Sequence, residues 1–182
     1  MGRDKARLRV DGEPLWRRQV RVLRDAGAGP VVLVQALGQR ALTRQRNVRV
    51  LRDIVKNAGP LAGLQAALAA SRADFVAVVA VDLPAIEPAW FVHLAQQCTA
   101  GRGVVIRSFR GYEPLAAIYP RCALADADAQ LARGDYSLQH FVLALVRARR
   151  LRVQRATAAD RRQLVNWNAP ADLSAAMMAD GA

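Results

Sequence analysis

Asp82 follows directly on the seven-residue apolar run Phe75 to Val81. Such a run predicts a central strand buried on both faces. The carboxylate is then expected at the carboxyl end of that strand, where open α/β sheets place their ligand crevice. A carboxylate there can hold Mg²⁺, a hard cation that shares its oxygen ligands with substrate phosphates. The same residue opens the turn Asp82-Leu83-Pro84-Ala85, and turn or helix-cap chemistry is the competing reading. Asp53 stands six residues before Gly59-Pro60-Leu61-Ala62-Gly63-Leu64, a loop running straight into an apolar helix. Amides at a helix start favour anions or polar base edges, and Gly63 suggests close approach by a ligand or a neighbouring backbone. Ordinary turn chemistry would use the same residues. Lys5, one of only two lysines, offers a flexible point charge for phosphate, with Arg3 close by. A solvated surface is the usual place of a lysine.

Three other segments carry polar groups of interest. Gly111-Tyr112-Glu113-Pro114-Leu115 precedes an apolar run, and Glu113 could reach the rim of the crevice. Asn166-Trp167-Asn168-Ala169-Pro170 puts two amides before a helical stretch, where Asn168 could equally be a cap. His93 and His140 lack the mutual spacing of a metal site, and packing or surface roles are expected for both. Cys98 and Cys122 also lack metal-ligand spacing and read as reduced, buried, inert thiols.

The elements that must position these groups alternate between apolar strand-like runs and amphipathic helices, the pattern of a helix-covered parallel sheet. Helices are expected at Pro14 to Asp25, Arg40 to Arg46, Leu61 to Ser71, Pro88 to Gln97, Arg121 to Arg133, Ser137 to Val146 and Pro170 to Met178. Strands are expected at Val31 to Val34, Val48 to Leu51, Phe75 to Val81, Val104 to Ile106, Glu113 to Tyr119 and Leu151 to Gln154. In the first helix Trp16, Val20 and Leu23 share one face, and Gln19 is the one polar residue on the apolar side. No repeat or long linker interrupts the pattern, so residues 1–182 read as one domain. A doubly wound sheet usually opens with a strand and a glycine-rich turn, and the sequence shows neither before its first helix.

Composition narrows the class of function. The 182 residues are 53% hydrophobic, enough for a sizeable core. No apolar run approaches the roughly 18 residues of a membrane span, and the charged start is no secretory signal, so a cytoplasmic protein is expected. The net charge of +12 comes from 27 basic residues, 25 of them arginine, spread from Arg3 to Arg162. That spread attracts anions such as nucleotides and phosphorylated cofactors but does not by itself name the partner. An aromatic content of 5% is thin for gripping single strands.

In order along the chain, five segments resemble the molybdenum cofactor guanylyltransferase family. They are Met1-Gly2-Arg3-Asp4-Lys5 with Gly12-Glu13-Pro14-Leu15; Asp53 with Gly59-Pro60-Leu61-Ala62-Gly63-Leu64; Val81-Asp82-Leu83-Pro84; Glu113-Pro114-Leu115 with Tyr119; and Asn166-Trp167-Asn168-Ala169-Pro170-Ala171-Asp172-Leu173. The resemblance implies a Rossmann-like three-layer α/β/α sandwich of the nucleotidyltransferase type with a mostly parallel sheet. It implies transfer of GMP from GTP to a molybdopterin-type cofactor, with Mg²⁺ and release of pyrophosphate. By similarity Lys5 would neutralise the GTP phosphates, Asp53, Gly59 and Pro60 would line the guanosine pocket, and Asp82 would hold the Mg²⁺. Asn166 and Asn168 would lie near the pterin, and a molybdoenzyme or its chaperone would be the further partner. The family carries a strand and a Leu-Ala-Gly-Gly-x-Ser-x-Arg loop ahead of Met-Gly-x-Asp-Lys. This sequence starts at that Met, so weak GTP binding is expected of it. Val81 stands where a Cys is common, and Ala169 where a Thr is usual. Around Val34-Gln35-Ala36 the base-reading position departs from a clear pattern. The alternatives are a related CTP or sugar-phosphate nucleotidyltransferase and an inactive, truncated binding protein.

Overall fold

A computed structural model of the chain describes residues 6, 8–10, 12–35, 48–52 and 59–166. The helices expected at 40–46 and 170–178 lie outside them. The first described elements are a short antiparallel ladder of β1 (Arg9–Val10) and β2 (Glu13–Pro14), which the sequence signals only by its Asp-Gly pair. Helix α1 (Leu15–Asp25) follows and buries Trp16, Gln19 and Val20. Strands β3 (Val31–Gln35) and β4 (Val48–Arg52) then pair in parallel over five rungs. Helix α2 (Gly59–Ala70) leads through a short loop to β5 (Phe75–Val79), and α3 (Pro88–Ala95) comes next.

The second half is built around β6 (Gly103–Ser108). It turns tightly into β7 (Gly111–Tyr112), and the chain continues as β8 (Ala116–Pro120). A 3-10 turn at Arg121–Ala123 opens α4 (Leu124–Ala132). Then come α5 (Leu138–Arg147), β9 (Leu151–Arg155) and α6 (Ala158–Gln163). Strands β5, β8, β6, β7 and β9 form one sheet, with β9 parallel to β6 and the other ladders antiparallel. The α/β sandwich expected from the sequence is present, but its sheet is mixed rather than mostly parallel. The physical reason is the tight β6–β7 turn: a connection of two residues can only reverse the chain, whereas a parallel partner needs a crossover.

Apolar side chains fill both faces of this sheet. Leu61, Leu64 and Leu68 of α2 join Phe141, Val142 and Leu145 of α5 over Val105, Ala117 and Tyr119. On the opposite face Trp90, Phe91 and Leu94 of α3 pack with Val22 and Leu164 over Val104, Ile106 and Ile118. Strand β6 alternates between the two clusters, residue by residue, as the pleat requires. A third cluster joins Trp16 and Val20 to Val31.

Two expected boundaries move. Strand β5 ends at Val79 rather than Val81, because its partner β8 begins at Ala116, directly opposite Val79. It is also half-buried at every position rather than buried on both faces, since among the described residues only β8 pairs with it. The strand expected from Glu113 to Tyr119 starts three residues later: Pro114 has no N–H to donate, and the Ala116 N–H turns back to the Glu113 carbonyl at 3.2 Å. Helix α6 was not expected. Its signal, Thr157 with Asp160 three residues on, is a capping box in which each side chain accepts from the other's backbone. No described helix is long and apolar enough to cross a membrane.

Candidate active site

The segment carrying Asp82 is held on every side by backbone and side-chain bonds. After β5 the Ala80 N–H donates to the Leu115 carbonyl at 2.8 Å, and the chain turns at Val81 and Asp82. The next two carbonyls are claimed by α1. Gln19, only 2% exposed, donates its Nε2 to Leu83 O at 2.8 Å, and Arg18 donates its Nε to Pro84 O. Leu83 is itself buried in the cluster around Trp90 and Ile86. The Trp90 indole N–H donates to Ala116 O at 3.1 Å, tying α3 to the start of β8. Asp82 is thus a half-buried carboxylate on a turn whose neighbours are all anchored.

The polar residue that looked misplaced on the apolar face of α1 therefore has a task. Gln19 satisfies a buried carbonyl next to Asp82, while its own Oε1 has no hydrogen-bond donor. Sequence reasoning did not assign Gln19 or Arg18 to the site. The single polar break in an otherwise apolar helical stripe was the signal.

Connectivity places the start of α2 on the same edge of the sheet. A Cβ added at Gly63 would stand 3.5 Å from Val34, so the first turn of α2 lies beside the carboxyl end of β3. That neighbour is the Val34 side chain at ordinary contact distance, not the close backbone approach expected at Gly63. From that end α2 runs away and β5 returns, bringing Asp82 back to the edge where Gly59 and Pro60 sit exposed. Asn166, also exposed, comes two residues after Leu164, which packs on the other face of the sheet. Leu164 shares a cluster with Leu83 and Ile86, and the Glu87 N–H donates to Gln163 Oε1 at 3.1 Å. Lys5, Asp53 and Asn168 lie outside the described residues.

Glu113, expected near the rim, accepts from Ser108 Oγ at 2.6 Å. The turn that follows it is pinned from below, where the buried Tyr119 donates its hydroxyl to Pro114 O at 2.8 Å. Complete burial pushes the Tyr119 pKa far above its ordinary value. Tyr119 also stacks on Phe141, centroids 6.1 Å apart. His93 meets only Gln97 and Gln154, and His140 pairs with Asp135 at 3.0 Å at the surface, as lone histidines should. Cys98 is half-buried, its pKa raised by burial, but Cys122 is exposed rather than buried because it sits on the outer side of the 3-10 turn after β8.

Among the described residues no three His, Cys, Asp or Glu side chains gather to cage a metal ion. A single anchored carboxylate suits instead a hard divalent cation that takes its remaining ligands from water and phosphate oxygens. A concavity of about 780 Å³, lined by Arg24, Ala28, Gly29, Pro30, Val31, Val48 and Arg49, opens at the amino ends of β3 and β4. It lies at the wrong end for a crevice of this fold, whose ligands gather at carboxyl ends.

Known proteins share this fold. In fold, the chain is similar to molybdopterin-guanine dinucleotide biosynthesis protein A from Archaeoglobus fulgidus, with a TM-score of 0.69 and 21% identity, covering 98% of this chain and 91% of that one. It is also similar to 2-C-methyl-D-erythritol 4-phosphate cytidylyltransferase from Thermus thermophilus, with a TM-score of 0.71 and 16% identity, covering 98% and 94%. In sequence it is 54% identical over 175 residues to a probable molybdenum cofactor guanylyltransferase of Opitutus terrae, covering 94% of this chain and 86% of that protein. The family model described as the MobA-like NTP transferase domain matches residues 1–153. With the anchored carboxylate at the carboxyl edge of a nucleotidyltransferase sheet, that match places the chain in the MobA-like NTP transferase family.

Proposed function

We propose that this protein transfers the guanylyl group of GTP to the phosphate of a molybdopterin-type cofactor and releases pyrophosphate. The observation that carries the reading is the 54% identity, over nearly the whole chain, to a relative named for that reaction. An acceptor phosphate oxygen attacks the α-phosphorus in line, the bond from that phosphorus to the bridging oxygen breaks, and pyrophosphate leaves. No covalent enzyme intermediate is needed, so positioning and charge neutralisation supply the catalysis.

Asp82 would hold a divalent cation, Mg²⁺, whose charge offsets that of the triphosphate. The bonds from Gln19 and Arg18 to the next two carbonyls fix the direction in which Asp82 is presented. Gly59 and Pro60, with Asp53, would line the guanosine pocket, and Lys5 would neutralise the phosphates. Asn166 and Asn168 would face the pterin. All of this takes place in the cytoplasm, and a molybdoenzyme or its chaperone receives the product. Incubation with GTP, Mg²⁺ and molybdopterin should yield the guanine dinucleotide and pyrophosphate. Faster turnover of CTP than of GTP, or no product with either, would refute the reading.

A further inference from the structure

The turn between β6 and β7 presents Phe109 with 80% of its surface exposed, by far the most exposed of the large apolar side chains described. The turn that carries it is firmly built. Arg110 N–H donates to Ser108 Oγ at 3.1 Å, and Ser108 Oγ donates to Glu113. From α5, Gln139 clamps Tyr112 twice: Oε1 accepts the Tyr112 N–H at 3.1 Å, and Nε2 donates to the Tyr112 carbonyl at 2.8 Å. A rigid turn that displays an aromatic ring to water offers a surface for stacking. The Arg110 guanidinium lies over one face of that ring, 5.2 Å from its centre, adding a cation to the lip.

The register of the sheet says what this surface faces. Ile118 of β8 pairs with Ala77 on one side and Val104 on the other, so those two residues stand level. Strands β5 and β6 are both antiparallel to β8 and therefore run the same way. Asp82 and Phe109 each come five residues after that common level, and so leave the sheet at the same edge. Two strand spacings, about 10 Å, separate β5 from β6 across the sheet. The start of α2 lies on the other flank of Asp82, beside β3.

We infer that Phe109 and Arg110 form the docking lip for the acceptor substrate. The planar pyrimidinone end of the acceptor's pterin stacks on Phe109, Arg110 attracts its anionic groups, and its phosphate-bearing tail reaches toward Asp82. The inference rests on the guanylyl-transfer reading, which supplies an acceptor of that chemistry, and leaves the α2 flank to the nucleotide.

The test compares wild type with Phe109→Ala and Phe109→Trp, using molybdopterin as the probe. Turnover gives KM for molybdopterin and for GTP, and quenching of pterin fluorescence gives binding without turnover. Phe109→Ala should raise the molybdopterin KM and dissociation constant roughly 5- to 100-fold, the loss seen when one stacking ring is removed. The GTP KM should not move, and Phe109→Trp should retain tight binding. Molybdopterin affinity within twofold of wild type in Phe109→Ala, or no pterin binding by wild type, overturns the lip. Absence of turnover with pterin binding that still depends on Phe109 would sink the transfer reaction and support the lip.

Discussion

At the level of single residues, the proposed function gives Asp82 the chemistry and Gln19 the placement. Asp82→Asn keeps the size and removes the charge that would hold the cation. Turnover of GTP with molybdopterin should fall roughly 10²- to 10³-fold, the range for losing one preorganised electrostatic partner, with unchanged circular dichroism. Gln19→Leu fills the same space but leaves the Leu83 carbonyl without its donor. A buried acceptor abandoned in this way costs about 1–3 kcal/mol. The midpoint of thermal unfolding should drop by about 2–4 °C for each kcal/mol. Gln19→Leu should also lower turnover, because the turn that aims Asp82 loses one of its two ties to α1; Arg18 keeps the other.

Among the elements, the β6–β7 hairpin depends most on one residue type. Gly111 has φ +121°, in the region where side chains are strained, and a Cβ there would stand 3.1 Å from Gln139 Oε1. Gly111→Ala should therefore disturb both the turn and the clamp from α5. Hydrogen exchange at Tyr112 should speed up at least tenfold in that variant, while exchange within β6·β9 stays as in wild type. Equal protection of Tyr112 in the two proteins would show that the turn holds without the clamp. The two-residue connection that makes Gly111 necessary also forces β8 to run antiparallel, and so puts the Glu113 turn beside Asp82 rather than at the far end of the sheet.

For the molecule as a whole, stability is linked to the proton on Tyr119. Its hydroxyl is fully buried and donates to Pro114 O, so the folded state keeps the proton to much higher pH than the unfolded chain, whose value is near 10.0. The folded form then binds more protons than the unfolded one above pH 10, and stability falls as pH rises. The contribution is complete below pH 10 and is lost progressively above it. Denaturant unfolding at pH 8 and pH 11 should show a steeper loss in wild type than in Tyr119→Phe. The variant should be weaker at pH 8 by about 0.5–1.5 kcal/mol, the value of one hydrogen bond. A parallel decline of the two proteins would exclude Tyr119 as the linked group.

Much of this protein was already legible in the order of its residues. Apolar runs and amphipathic periods located β3, β4, β5, β6 and β9 and the helices α1 to α5 to within a few residues, because burial of one face writes its period into the sequence. The position of Asp82 after the most apolar run marked the carboxyl end of β5, and the ordered motifs marked the family. Strand direction and exact strand ends were decided by tertiary structure alone. Whether β8 is parallel depends on the two-residue turn between β6 and β7, and where β5 stops depends on where its partner begins. The same holds for the bond from Gln19 to Leu83, formed across 64 positions of sequence, and for the sheet edge that Asp82 and Phe109 share. Contacts between residues distant in the chain leave no local period to read. They exist only once the sheet has fixed which residues stand opposite one another.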